Sequence, residues 1–241
     1  MFDNRHIYRN DHGKKGLISF TATVKETNLN IQADLDLSDA AVRAILRHRQ
    51  YIETHIKHHP EFAESLAPLP AVTPAPGIIT EMIEAAQIAG VGPMAAVAGA
   101  VAEFTGRDLL DLSNEVLVEN GGDIFVKSDA DMTFGIYAGD SPLSMKTGIK
   151  VARRPAPFAV CTSSGTLGHS KSFGRADAAC VLAASCALAD AAATALGNRV
   201  KTPDDIQAAI DAGREMKGVE GIVIIAGKQI GLWGDIQLVK L

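Results

Sequence analysis

Residues 114–128, NEVLVENGGDIFVKS, decide the fold that the sequence predicts. Two short runs rich in valine, isoleucine and phenylalanine stand on either side of Gly121-Gly122, which is typical of two strands joined by a tight turn. Glycine fills such a turn because its backbone adopts a positive φ at little cost. A hairpin at this place favours an antiparallel sheet over a regular strand-helix-strand order.

Both flanks of this hairpin are built from alternating blocks of strands and helices. Segment 17–35 alternates like a second hairpin, and 65–77 holds four prolines, which predicts an extended connector. We predict helices over 38 to about 58, 78–89, 93–105, 175–196 and 202 to about 216, and strands at 115–120, 123–128, 133–139, 149–154, 157–164, 221–227, 229–234 and 235–241. This is an α+β order, and duplicated ββ-αα-ββ units with an antiparallel sheet and packed helices fit it.

The composition narrows the class of protein. The chain has 241 residues, a net charge of −5, 47% hydrophobic residues and only 5% aromatic residues. An acidic balance with few aromatic rings argues against nucleic-acid binding. The amino terminus lacks the pattern of a secretory signal, and the most apolar run, 181–196, is shorter than the roughly 20 residues that span a bilayer. We expect one domain over residues 1–241, cytoplasmic, with no nucleic-acid and no membrane partner; the oligomeric state stays open, a homo-oligomer included.

The first candidate site is the turn at Gly121, Gly122 and Asp123. Adjacent glycines leave their backbone N–H groups open to a ligand, since no Cβ stands in the way. The alternative is a plain type I′ hairpin turn, which has the same sequence signature.

The second candidate site is the loop after the strand at 157–164. Its sequence from Cys161 is CTSSGT, which places the hydroxyls of Ser163, Ser164 and Thr166 around Gly165. Hydroxyls and backbone N–H groups at a strand end suit a phosphate or a ribose. The alternative is a hydrophilic loop without a ligand.

The third candidate site is Asp190 with Thr194. Asp190 is the only carboxylate in the apolar run 181–196, and Thr194 lies four residues later, on the same face of a helix. A buried carboxylate needs a partner. Two partners stay open, an Arg or Lys side chain or a bound metal, and a carboxylate with a hydroxyl suits Mg²⁺.

The thiols and the histidines supply the remaining candidates. Cys180 and Cys186 belong to the apolar run and are expected to be buried packing residues. Cys161 ends a strand beside a polar loop, where we expect an exposed thiol whose thiolate is stabilised by backbone donors. His169 follows the same loop and is the other catalytic candidate. The cluster His48, His55, His58 and His59 favours a solvated basic face over a metal site.

These sites together resemble the flavin transferases of the ApbE-like superfamily. NEVLVENGGDIFV is similar to that family's strand-GG-acid-strand motif, FAVCTSSGT to its Thr-Ser-Gly loop, and ALADAAATALG to its Ala-Asp-Ala-x-x-Thr-Ala helix. VGPMAAVAGAVAE and RQYIETHIKHHPEFAESLAPLP resemble a short ApbE-like branch of anaerobic bacteria and archaea. The second resemblance extends over nearly the whole chain.

The resemblance implies a T-fold-like architecture and a ligand. In the family, FMN is transferred from FAD to a threonine hydroxyl of an acceptor protein. The Mg²⁺ ligands would fall on Asp190 and Thr194. The flavin nucleotide, a phosphate-bearing small molecule, would approach the following residues: Gly121, Gly122, Asp123, Ser163, Ser164, Gly165 and Thr166. Mg²⁺ would neutralise the pyrophosphate.

Several catalytic elements of the family are changed in this sequence. Its His-Ile-x-Asp-Pro-x-Thr-Gly loop is reduced to GHSKSFGRAD, which keeps His169 and Gly174. Ala98 stands where the family has a lysine, and the following acid falls on Glu103. The leading hypothesis is a Mg²⁺-assisted flavin-nucleotide-binding protein that resembles FMN transferases and has a changed substrate. The alternatives are a sulfur-handling protein that carries a persulfide on Cys161 in homocysteine synthesis of anaerobes, and a scaffold without catalysis.

Overall fold

The computed structural model describes residues 16–164 and 174–241. Eleven strands lie in this part of the chain: β1 Ile18–Val24, β2 Thr27–Ala33, β3 Val116–Asn120, β4 Asp123–Lys127, β5 Met132–Gly135, β6 Thr147–Val151, β7 Phe158–Ser163, β8 Ala178–Ala183, β9 Val219–Ala226, β10 Gln229–Gly234 and β11 Gln237–Lys240. Six α-helices accompany them: α1 Ser38–His58, α2 Glu61–Glu64, α3 Gly77–Ala89, α4 Val97–Leu109, α5 Cys186–Arg199 and α6 Ile206–Arg214.

The strands form two antiparallel sheets, as the central hairpin predicts. The larger sheet has eight strands in the order β1-β2-β3-β4-β7-β8-β9-β10, and β11, β6 and β5 form a smaller second sheet. The three carboxy-terminal strands were predicted as one group, but β11 leaves β10 and pairs with β6 in the second sheet. The α+β class is confirmed.

The large sheet separates two hydrophobic cores because its side chains alternate between its faces. On β3, Val118 packs into the core beneath the helices, and Leu117 packs into the core beneath the second sheet. Cys161 belongs to the helical core and Val160 to the other. The helical core is rich in alanine, so that the helices approach one another and the sheet closely.

The helix predicted over 175–196 is wrong in its first half. Residues Ala178–Ala183 form β8, which pairs with β7 on one side and β9 on the other. All six residues are buried, and a short apolar run that is buried on both faces carries no periodicity to distinguish a strand from a helix. The helix α5 begins only at Cys186, after Ser185 accepts a hydrogen bond from Leu188 N as its cap.

The other helices lie close to the predicted segments. The apolar segment predicted as one helix over 93–105 is a 3₁₀ turn, Pro93–Ala96, followed by α4. In the described part of the chain, no single helix has the length and apolarity to cross a membrane; only α3 and Pro93–Leu109 taken together do, and they are bent by 105°. The cytoplasmic localisation stays a prediction.

Candidate functional site

The Gly121-Gly122 turn and the end of β7 lie side by side at one end of the large sheet. Gly121 and Gly122 have φ values of 67° and 109° and join β3 to β4, which confirms the predicted two-residue turn. Asp123 pairs with Cys161 in the strand register, and Thr162 N donates to Gly122 O over 3.2 Å. The glycine turn and the strand end that leads into the second candidate site are therefore neighbours in the sheet.

One N–H group of the glycine turn donates to an acidic side chain of the preceding strand. Glu119 Oε1 accepts a hydrogen bond from Gly122 N at 2.9 Å, and the Glu119 side chain is buried. The expectation that both turn N–H groups stand open is therefore wrong for Gly122, because its N–H already has a carboxylate acceptor.

Asp190 is buried, as predicted, and its partner is the amino terminus of another helix. Its Oδ2 accepts a hydrogen bond from Gly99 N at 2.8 Å, and Ala98 N contributes as well. Residues 97–99 are the first turn of α4, where backbone N–H groups lack partners within the helix and favour negative charge. Neither predicted alternative, an Arg or Lys side chain or a metal, is needed to explain this contact.

Gly99 permits the close contact between α4 and α5. A Cβ built on Gly99 would lie 2.8 Å from Asp190 Cβ and would collide with the carbonyl oxygen of Cys186. Asn120 connects the same helix end to the hairpin, because its Nδ2 donates to Ala98 O at 2.9 Å. The first turn of α4 is thus joined both to α5 and to the residue before the glycine turn.

Asp123 and Asp190 are two buried acids, and the charge of Asp190 acts on Asp123. Burial raises the pKa of Asp190 to about 7, against the opposing effect of the Gly99 and Ala98 N–H groups. Burial, followed by the nearby charge of Asp190, also raises the pKa of Asp123, and Glu119 adds to this increase. A pair of this kind retains a proton near neutral pH.

Glu103 is a second buried carboxylate at this helix contact, and sequence reasoning did not identify its role. Its Oε2 accepts from Cys186 N at 2.8 Å and from Ala187 N at 3.3 Å, at the amino terminus of α5. Its Oε1 lies 2.6 Å from Arg107 Nη2. The spacing of Glu103 and Arg107, four residues apart on a helix, was the available signal.

The expected exposure of Cys161 is wrong. Cys161 is fully buried, and its Sγ lies 3.5 Å from Cys186 Sγ. Burial, reinforced by Cys186 and by the neighbouring carboxylates, raises the pKa of the Cys161 thiol. Helix α5 covers this end of β7 on the helical side, so that the thiol lies in the core and no thiolate is exposed there. The buried packing role expected for Cys180 and Cys186 is confirmed.

The remaining candidate residues divide between the described and undescribed parts of the chain. Ser163 and Ser164 are half-buried at the end of β7. A Cβ built on Gly197 would lie 3.8 Å from Ser163 Oγ, so the carboxy-terminal half of α5, with half-buried Thr194, extends toward this end of the sheet. Gly165, Thr166 and His169 lie outside the described residues.

The histidine cluster on α1 is not uniformly a solvated basic face. His48 is buried, and its Nε2 lies 2.7 Å from Asp108 Oδ2. His55 and His59 are stacked with ring centroids 4.6 Å apart. Within residues 16–164 and 174–241, no group of three or more His, Cys, Asp or Glu side chains is arranged to hold a metal ion.

Relatives of this chain are found in methanogenic archaea. A UPF0280 protein of Methanococcus aeolicus is 40% identical over 225 residues, which cover 90% of this chain and 91% of that protein. A UPF0280 protein of Methanosarcina barkeri is 39% identical over 219 residues, 90% of this chain and 86% of its own length.

Two solved structures share the fold at low sequence identity. The flavin transferase ApbE from Vibrio cholerae superposes with a TM-score of 0.57 at 12% identity, over 91% of this chain and 97% of that one. The apo form of the flavinyl transferase ApbE from Pseudomonas stutzeri gives a TM-score of 0.54 at 13% identity, over 90% and 94% of the two chains. The family model described as "AbpE bacteria" matches residues 9–237, and the chain belongs to this ApbE-like family.

Proposed function

We propose that the chain binds a flavin nucleotide together with Mg²⁺ at the end of the large sheet. The observation that carries the proposal is that buried Asp123, directly after the Gly121-Gly122 turn, lies near enough to buried Asp190 for the Asp190 charge to raise the pKa of Asp123. Two matched solved structures are named flavin or flavinyl transferases, which supports a flavin nucleotide as the ligand.

The donor set fits Mg²⁺. Asp190 and Asp123 supply hard oxygen ligands, and Thr194 places a hydroxyl one turn after Asp190 on the same face of α5. Mg²⁺ commonly uses only one or two carboxylates and takes its other ligands from water and the phosphates of a substrate, so a third acid is not required. When bound, the ion would neutralise the pyrophosphate of the nucleotide.

The protein residues would bind and orient the nucleotide. The end of β7, with the hydroxyls of Ser163 and Ser164, and the glycine turn would border the phosphates, and buried Asp123 and Asp190 would exchange their proton for the cation. Ala98 has a methyl group where the family has a lysine, so this position supplies no positive charge to a transfer step. Binding is therefore the proposed function, and any transfer chemistry depends on other residues.

We also propose that the fold is built from two repeated units. Strands β1 and β2, helices α1 to α4 and strands β3 and β4 follow in one block, and β7, β8, α5, α6, β9 and β10 follow in another. This order supports a fold of two ββ-αα-ββ units, like a T-fold, with β5 and β6 between them.

Equilibrium dialysis against FAD and FMN, with Mg²⁺ and with EDTA, tests the proposed function. We expect binding that depends on Mg²⁺ and that weakens at least about tenfold in Asp190→Asn, because a ligand carboxylate is removed. The matched control is Asp108→Asn, which removes a carboxylate at the opposite end of α4. Absence of flavin binding to the wild-type protein in the presence of Mg²⁺ would contradict the proposal.

A further inference from the structure

The 116–127 hairpin holds one carboxylate against a backbone N–H group at each of its ends. At the turn, Glu119 accepts from Gly122 N at 2.9 Å. At the open end, Glu115 Oε2 accepts from Asp129 N at 2.9 Å and from Ser128 Oγ at 2.8 Å. The two contacts are chemically alike, but only the first lies beside the acidic pair.

Three N–H groups near the proposed site that could hold an anion are already in contact with carboxylates of the chain. Gly122 N donates to Glu119, Gly99 N to Asp190, and Cys186 N to Glu103. A turn or a helix amino terminus is the usual place for a phosphate. A phosphate-bearing ligand that uses one of these donors must therefore displace an internal carboxylate.

Glu119 is the carboxylate whose displacement the structure allows most readily. Asp190 and Glu103 are fixed between α4 and α5, where Gly99 leaves no free space. A Cβ built on Gly121, in contrast, would meet no atom of residues 16–164 and 174–241 within 4 Å, so none of these residues packs against the outer side of the turn that Glu119 closes. The Glu119 side chain also has three rotatable bonds, with which its carboxylate can leave the turn without a shift of β3.

We propose that Glu119 occupies the place of a ligand phosphate and controls access of anions to the Gly121-Gly122 turn. While its carboxylate accepts from Gly122 N, the turn repels free anions. A phosphate whose charge is compensated by a cation replaces it. This inference rests on the proposed function in one respect, that the ligand carries a phosphate.

Binding of inorganic pyrophosphate in EDTA tests the inference without a flavin or a metal. Titration calorimetry should detect pyrophosphate binding at least about tenfold tighter to Glu119→Ala than to the wild type, because the variant removes a negative charge beside the anion. The amide signal of Gly122 in a ¹H–¹⁵N spectrum should shift on titration in this variant. Glu119→Gln, which keeps the size and an acceptor oxygen, should give a smaller gain.

The matched control is Glu115→Gln, which removes the same charge at the other end of the hairpin and should leave pyrophosphate binding unchanged. Unchanged or weaker binding in folded Glu119→Ala would overturn the inference; if that variant does not fold, the same result in Glu119→Gln would do so. An equal gain in Glu115→Gln would also overturn it, since the effect would then be one of net charge. Wild-type binding of FAD with Mg²⁺ is scored separately, so that either proposal can fail without the other.

Discussion

The two buried carboxylates of the α4–α5 contact are arranged reciprocally. Glu103 belongs to α4 and accepts from the first N–H groups of α5, and Asp190 belongs to α5 and accepts from the first turn of α4. Each helix therefore supplies the negative charge that the amino terminus of the other favours. The difference between them is the second partner: Glu103 is paired with Arg107, whereas Asp190 has Asp123, another acid, beside it.

This difference separates a structural carboxylate from a functional one. The charge of Glu103 is balanced within the fold by a guanidinium and by helix N–H groups, so that it needs nothing from outside. The pair of Asp190 and Asp123 holds carboxyl groups whose pKa values are raised, and a cation would stabilise their ionised form. Perturbed groups of this kind concentrate at binding and catalytic sites.

The largest loss of stability is expected at Glu103, for which the comparison predicts a purely structural role. Glu103→Ala removes the acceptor of two N–H groups at the start of α5 and should lower the free energy of unfolding by about 3 kcal/mol. Glu81→Ala is the control, because it removes the other carboxylate of Arg107 but leaves α5 untouched, and it should cost less than about 1 kcal/mol. Urea denaturation measures both; equal losses would mean that Arg107, and not the helix terminus, determines the effect.

An intermediate loss of stability is expected at Gly99, where α4 and α5 approach each other closely. Gly99→Ala inserts a Cβ 2.8 Å from Asp190 Cβ and should destabilise the protein by about 1–3 kcal/mol through overpacking. In Gly77→Ala the new Cβ would lie 3.5 Å from Phe104, an ordinary contact, so this variant should be neutral or slightly stabilised. Thermal unfolding of the two variants gives the test, and a Gly99→Ala protein as stable as Gly77→Ala would contradict the close contact.

The smallest effect on stability, and the most specific, is expected for Asp190→Asn. The pKa of Asp190 is raised to about 7 in the folded protein from 3.8, so between these pH values the folded state binds more protons than the unfolded state. The titration of Asp190 should therefore make the free energy of unfolding of the wild type fall as pH rises from about 4 to 7. The asparagine keeps an acceptor for Gly99 N but does not titrate.

Denaturation curves at several pH values measure how the free energy of unfolding changes with pH. Asp190→Asn should be within about 1 kcal/mol of the wild type at pH 5, and it should gain relative to the wild type as pH rises to 8. Asp123, whose pKa is also raised, still titrates in the variant, so that part of the pH dependence of stability remains. Parallel pH profiles of the two proteins would show that Asp190 does not carry the extra proton.

Local patterns were sufficient to predict the turn and the buried acid. The glycine pair between two short strands predicted the turn at Gly121 and Gly122, and one acid in an apolar run predicted that Asp190 is buried. Both signals come from residues whose backbone conformation or desolvation cost allows few alternatives.

Features that depend on long-range pairing could not be predicted in the same way. The segment Ala178–Ala183 is as apolar as α5, and only its pairing with β7 and β9 makes it a strand. The burial of Cys161 depends on α5 covering the end of β7, which the sequence of β7 does not encode. The backbone partner of Asp190 was missed because the first turn of α4 is 91 residues away along the chain, and backbone donors have no residue type to recognise.

A direct measurement of the protonation of Asp190 tests the central claim, that the helix-terminal carboxylate with another acid beside it is the functional one. In a ¹³C-carboxyl NMR titration of the wild-type protein, with the Asp190 signal assigned by its loss in Asp190→Asn, we predict a midpoint near pH 7. Addition of Mg²⁺ should lower that midpoint, because the cation stabilises the ionised form. A midpoint near pH 4, the ordinary value of an aspartate, would contradict the account.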